Sequence, residues 1–118
     1  MAKINKDDLR VGVTFTSCKN CEIRVNYENR MAVYKIILDR YGKKMQSIVA
    51  LEELSECQKE ICKFLRDKGN IDHLAEEVAD AAIMLEQITQ MYGIMDKVLM
   101  YMDEKCQRTL DRLTQEKS

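Results

Sequence analysis

Two pairs of acidic residues in this sequence have the types and the spacing of metal ligands. They are Glu53 with Glu56, and Glu77 with Asp80. The pairs lie in similar phrases, Leu-Glu-Glu-Leu-Ser-Glu and Ala-Glu-Glu-Val-Ala-Asp, which are offset by 24 positions. Residues three apart are neighbours on a helix surface, so each pair could hold a cation between two carboxylates.

Apolar residues around the acids repeat with the same offset. They step by alternating fours and threes, which is the spacing of a seam along one helix face. At about 100° per residue, the acids fall on one flank of each seam. An antiparallel hairpin that pairs the two seams would bring all four carboxylates to the same side. The seam residues are Ala50, Leu54, Cys57, Ile61 and Phe64 in the first helix and Leu74, Val78, Ala81, Leu85 and Ile88 in the second.

Four carboxylates beside an apolar seam would repel one another unless a cation compensated their charge. Ligands that offer only oxygen favour a hard ion, Mg²⁺ first and Mn²⁺ second. Zinc fits less well, because no His or Cys lies within either acid motif. A single Glu-x-x-Glu is usually a solvated helix face, but its recurrence on two sequential helices favours a metal site.

Helices must position these acids. Helical spacing of apolar residues begins near Tyr27, and Gly42 ends the first segment. Four helices with short connections predict an all-α fold, an antiparallel four-helix bundle. The other three helices are predicted from Met45 to Asp67, from Asp72 (as N-cap) to Tyr92, and from Met95 to Leu113.

The N-terminal part differs in composition from the helical part of the chain. Residues 11–16 and 22–25 are rich in β-branched types, which predicts a short β-hairpin, with a flexible arm as the alternative. The expected organisation is therefore an arm or hairpin over 1–26 and one helical domain over 27–118. Cys18 and Cys21 have the spacing of half a zinc site, but no second half follows them.

Length and charge exclude several classes of protein. The chain has 118 residues and a formal net charge of −1, which suits one small domain and argues against nucleic-acid binding through bulk positive charge. The sequence shows no long apolar run and no signal-peptide pattern, so we expect a cytoplasmic protein without a membrane partner. A domain this small would gain burial from a second subunit.

At the two acid motifs the sequence resembles the MazG-like, all-α nucleoside triphosphate pyrophosphohydrolase superfamily, in its small single-domain form of phage and prophage. The signature of that superfamily is Glu-x-x-Glu on one helix and Glu-x-x-Asp on the next, some twenty residues later. Here Glu53-Leu-Ser-Glu56 and Glu77-Val-Ala-Asp80 match it. The resemblance covers most of the helical part and leaves the N-terminal arm outside.

The resemblance implies a Mg²⁺-dependent enzyme that cleaves a nucleoside triphosphate to the monophosphate and pyrophosphate, as nucleotide-pool housekeeping. It implies that the four acids bind the metal and that the protein is a homodimer or homotetramer. Lys105 and Arg108 match the basic residues that face the nucleotide in such proteins; the alternative is a solvated basic helix end. For the base that takes the proton of the attacking water we nominate Glu56, with Glu52 and Glu60 as alternatives.

Two other functions fit the same residues. One is a non-catalytic helical interaction module that binds metal through its acids, and the other is an enzyme like the phosphoribosyl-ATP pyrophosphatases, which share the acid pattern. No residue indicates a preferred nucleobase. His73, the single histidine of the chain, could support a ligand four residues later, although a surface position in a first helical turn is the commoner case.

Overall fold

The structure is a computed structural model that describes residues 15–16 and 24–116, with side chains from residue 26 onward. Two short strands precede three helices in this part of the chain. The strands pair antiparallel, with Phe15 opposite Val25, which is the pairing that a hairpin makes. Cys18 and Cys21, which have the spacing of half a zinc site, lie outside the described residues. The elements are β1 (Phe15–Thr16), β2 (Arg24–Val25), α1 (Tyr27–Leu65), α2 (Ile71–Met91) and α3 (Met95–Glu116).

Helix α1 covers two of the predicted helices. At Gly42 the backbone has φ 83° and ψ 163°, outside the helical region, so α1 bends there. Glycine adopts positive φ without the steric cost that a Cβ brings. The predicted helical class is confirmed, but three helices are present in the described chain where four were predicted. The antiparallel four-helix bundle stays a prediction.

The turn between α1 and α2 is fixed by polar and small residues. Asn70, not the predicted Asp72, is the N-cap of α2: its side-chain oxygen accepts a hydrogen bond from the backbone N–H of His73 at 2.7 Å. Asp72 falls instead in the first turn, where its charge favours the helix N-terminus. A Cβ at Gly69 would lie 3.0 Å from Glu60 Oε1. Glycine therefore lets the turn close over that carboxylate.

Helices α1 and α2 form an antiparallel hairpin, but the buried stripe differs from the predicted seam. Ala50 and Ala81 are buried as predicted, whereas Leu54 and Val78 stay partly exposed. The contact takes in the buried Glu60, whereas the seam residues Ile61 and Phe64 are exposed, so it is rotated towards the acids. The buried residues are Gln46, Ala50 and Glu60 in this part of α1 and Ala81, Met84, Gln87 and Met91 in α2.

The first part of α1 is joined to α2 by polar contacts. The guanidinium of Arg30 pairs with the carboxylate of Glu86, with Nε 3.1 Å from Oε1. The buried Tyr34 donates its hydroxyl to the same oxygen at 3.3 Å. Gln90 donates to the backbone oxygen of Met31 at 2.7 Å. These contacts fix the rotation of α2 and therefore the direction in which its acids point.

Helix α3 leaves the hairpin. No residue along its whole length is buried. Within the described residues, no helix has the length and apolar character needed to cross a bilayer.

Candidate metal centre

Three carboxylates from two helices converge in the middle of the hairpin. Glu53 of α1 and Glu77 and Asp80 of α2 each offer an oxygen, and these oxygens lie within 4.8 Å of one another. Oxygens that bind one Mg²⁺ at about 2.1 Å lie within about 4.2 Å of one another. Small side-chain rotations therefore suffice for these three residues to bind one ion, so the residues present fit the predicted Mg²⁺ or Mn²⁺.

The surroundings of Glu53 disfavour the charged form of its carboxyl group. Burial raises the pKa of its carboxyl, and the negative charges of Asp80 and Glu77, followed by those of Glu56 and Glu52, raise it further. All of these effects act against the charged form. A divalent cation among the oxygens would reverse the charge repulsion.

Glu56 stands apart from the converging group. Its side chain is 54% exposed, and its Oε1 lies 3.7 Å from Nζ of Lys59 on the same helix. The structure thus brings together three of the four predicted ligands and leaves the fourth at the edge, open to water.

Sequence reasoning missed a polar contact next to the three acids. Glu60 is only 3% exposed, and its Oε2 lies 3.4 Å from Nε2 of His73. The same nitrogen lies 3.9 Å from Oε1 of Glu77. His73 is therefore placed between a buried acid and a candidate ligand, and the burial of Glu60 makes it unsuited as a base for water.

A sequence signal for this contact exists. Glu60 follows Glu53 by seven positions, and His73 precedes Glu77 by four. Both spacings return to the same helix face. The pattern extends the acid face of the hairpin by one turn towards the connection between α1 and α2.

The predicted phosphate ligands lie on a different helix from the acids. Lys105 and Arg108 lie on the exposed helix α3, and among residues 26–116 no ion pair joins either of them to an acid of the cluster. Lys59 and Lys63 are basic side chains close to this face instead; Nζ of Lys63 lies 4.0 Å from Glu60 Oε2. Each lysine follows a glutamate by three positions, which reads in sequence as an ordinary surface pair.

Known proteins provide no further guide. No family model, curated protein or solved structure matches this chain. What the site can do must therefore be argued from its own residues.

Proposed function

We propose that this protein is a Mg²⁺-dependent nucleoside triphosphate pyrophosphohydrolase that releases a nucleoside monophosphate and pyrophosphate. One observation carries the proposal: three carboxylate oxygens from two helices lie within 4.8 Å of one another. The spacing of the acid motifs, which resembles that of the MazG-like superfamily, supports the choice of substrate.

Glu53, Glu77 and Asp80 would hold the ion, with Mg²⁺ preferred and Mn²⁺ the alternative. When bound, the ion would supply the positive charge that lets a triphosphate approach and would make a bound water more acidic. The partial burial of Glu53 and Glu77 limits the screening of these charges by solvent. His73 would hold Glu77 in place through its contact with Glu60.

Glu56 is proposed as the general base. Its exposed carboxylate lies outside the ligand group and on the same helix as Glu53. It would take the proton of the water that attacks phosphorus, while the bond to the bridging oxygen breaks and pyrophosphate leaves. Lys59 is placed beside Glu56 and would neutralise part of the charge that develops on the phosphates.

Lys105 and Arg108 remain proposed phosphate ligands. Because α3 stands away from the hairpin, they would act on a site that includes a second copy of the chain. We therefore also propose that the protein functions as a homodimer or homotetramer.

A nucleotide panel tests the activity. Full-length protein with Mg²⁺ should release pyrophosphate from at least one common nucleoside or deoxynucleoside triphosphate. The Asp80→Asn variant should lose the activity at least about 100-fold, since it removes a ligand and not merely a supporting residue. Glu104→Gln, which removes an exposed acid of α3, is the matched control and should keep it.

The other outcomes separate the competing functions. A folded protein that binds Mn²⁺ but leaves every triphosphate intact would be a metal-binding interaction module. Activity on phosphoribosyl-ATP alone would identify the related enzyme class. Equal activity of Asp80→Asn and wild type would reject the proposed site.

A further inference from the structure

Helix α3 has an apolar stripe that stays exposed among the residues that the structure describes. It has 22 residues and none of them is buried. Most helical stability in proteins comes from packing of an apolar face. The stripe therefore needs a partner surface.

The spacing of the stripe residues is a palindrome, which means that it is the same in both directions along the helix. The stripe residues step by three, four, four and three positions, symmetrically about Cys106, and at about 100° per residue they lie within an arc of about 80°. None is charged, the four outer ones are between 51% and 57% exposed, and the central cysteine is exposed. They are Leu99, Met102, Cys106, Leu110 and Leu113.

We propose that this stripe binds a second copy of the chain, with the two α3 helices antiparallel and a twofold axis at Cys106. A twofold axis perpendicular to two antiparallel helices places each residue against its mirror position in the palindrome. Leu99 then faces Leu113 of the second copy, and Met102 faces its Leu110. Every apolar residue of the stripe thus meets an apolar residue.

The helix dipoles favour the antiparallel direction. Antiparallel helices oppose their macrodipoles, which a parallel pair does not. The spacing forms no regular coiled-coil seam in either direction, because two fours follow each other at Cys106 where threes and fours should alternate.

The groove beside α3 fits the same partner. An apolar groove of 970 Å³ between α2 and α3 is lined in part by Leu85, Ile88, Leu99 and Met102. The last two residues also belong to the stripe. Leu113 and Leu110 of the second copy, which face them, would therefore enter this groove, and by symmetry both grooves of the dimer are filled.

The mass in solution tests the surface. The full chain at micromolar concentration should have at least twice its single-chain mass of 13.8 kDa. Leu110→Asp places a charge in the apolar contact and should lower the mass. Met100→Asp, a control on the other side of α3 with similar exposure, should not. Circular dichroism would verify that both variants stay helical.

Disulfide trapping tests the direction of the helices. Leu99→Cys and Leu113→Cys are made separately, each with Cys106→Ser, mixed under reducing conditions and then oxidised with diamide. Antiparallel pairing predicts a linked dimer in the mixture and none above the Cys106→Ser background in either variant alone. Linkage in each variant alone, or none in the mixture, would overturn the arrangement.

The proposal does not rest on the enzymatic activity. A wild-type mass of one chain, or a mass that Leu110→Asp leaves unchanged, would overturn it whatever the nucleotide panel shows. If Leu110→Asp unfolds, the trapping experiment decides alone, because its variants keep the apolar stripe almost intact.

Discussion

At the scale of single residues, Glu53 is an acid whose surroundings oppose its charge, because burial and neighbouring carboxylates raise its pKa. The folded protein therefore disfavours the ionised form of this residue when no metal is present.

This imbalance predicts how metal-free stability depends on pH. The Glu53 carboxyl binds its proton at higher pH in the folded than in the unfolded chain. The free energy of folding that this group contributes is therefore lost as the pH rises from the ordinary glutamate pKa of 4.5 through the raised pKa of the folded state. It returns on acidification. In chelator, Glu53→Gln should be more stable than wild type at neutral pH, and the difference should shrink in mild acid.

Urea unfolding at the two pH values measures this difference. Glu104→Gln serves as the control, since it also removes one negative charge but lies on the exposed helix α3. Its stability relative to wild type should change little between the two pH values. If Glu53→Gln were no more stable than wild type at neutral pH, the repulsion described here would be absent.

The sequence predicts which residues approach at this site, but not every contact. The 24-residue offset was enough to place Glu53 near Glu77 and Asp80. It could not show that Glu56 stays outside, because that depends on a rotation of the helix pair by a fraction of a turn. For His73 the sequence left two alternatives, a support for Glu77 and a surface residue; its contact with Glu60 was not predicted.

At the scale of elements, the hairpin buries a stripe that the sequence did not single out. The buried set of α1 is partly polar, since Gln46 and Glu60 are buried with Ala50, and apolar periodicity alone does not find such residues. The prediction that a helical segment ends at Gly42 was correct, since positive φ there favours glycine, and a second segment of α1 follows the kink.

Two truncations of α2 test the buried stripe. Met84 is 4% exposed and lay outside the predicted seam, whereas Val78 is 47% exposed and lay within it. Met84→Ala should cost about 2–4 kcal/mol of unfolding free energy, and Val78→Ala less than about 1 kcal/mol. Denaturant unfolding of both variants provides the comparison, and the reverse order would restore the predicted seam.

A second prediction at this scale concerns the contact between α1 and α2 at Tyr34. Burial, followed by the charge of Glu86, raises the pKa of the Tyr34 phenol to about 12. The folded protein thus holds this proton more strongly, and the stability that it contributes is lost as the pH rises from about 10 through about 12. Tyr34→Phe should remove the phenolate that forms near pH 12.

Ultraviolet absorbance of the phenolate during an alkaline titration measures this group directly. Tyr101→Phe, on the exposed helix α3, is the control and should leave the titration near pH 12 in place. If Tyr34→Phe changed the absorbance only near the ordinary tyrosine pKa of 10, the proposed effect of burial and of Glu86 on the Tyr34 phenol would be contradicted.

At the scale of the whole molecule, the chain is less compact than its length requires. Its Cα radius of gyration is 17.7 Å, whereas a compact domain of this length has about 13.5 Å. The sequence predicted the helices of this arrangement but not the position of α3, because we propose that the surface covering α3 belongs to a second copy of the chain. The sequence does contain one indication of how α3 is covered, which is the symmetric spacing of its apolar stripe about Cys106.

The central claim is that Glu53, Glu77 and Asp80 form one divalent-metal site. The most direct test is a Mn²⁺ titration of the full chain followed by electron paramagnetic resonance, which reports free ion separately from bound ion. Wild type and Glu104→Gln should bind Mn²⁺ alike, and Asp80→Asn should bind it at least about tenfold more weakly. No binding by wild type, or equal binding by Asp80→Asn, would contradict the claim.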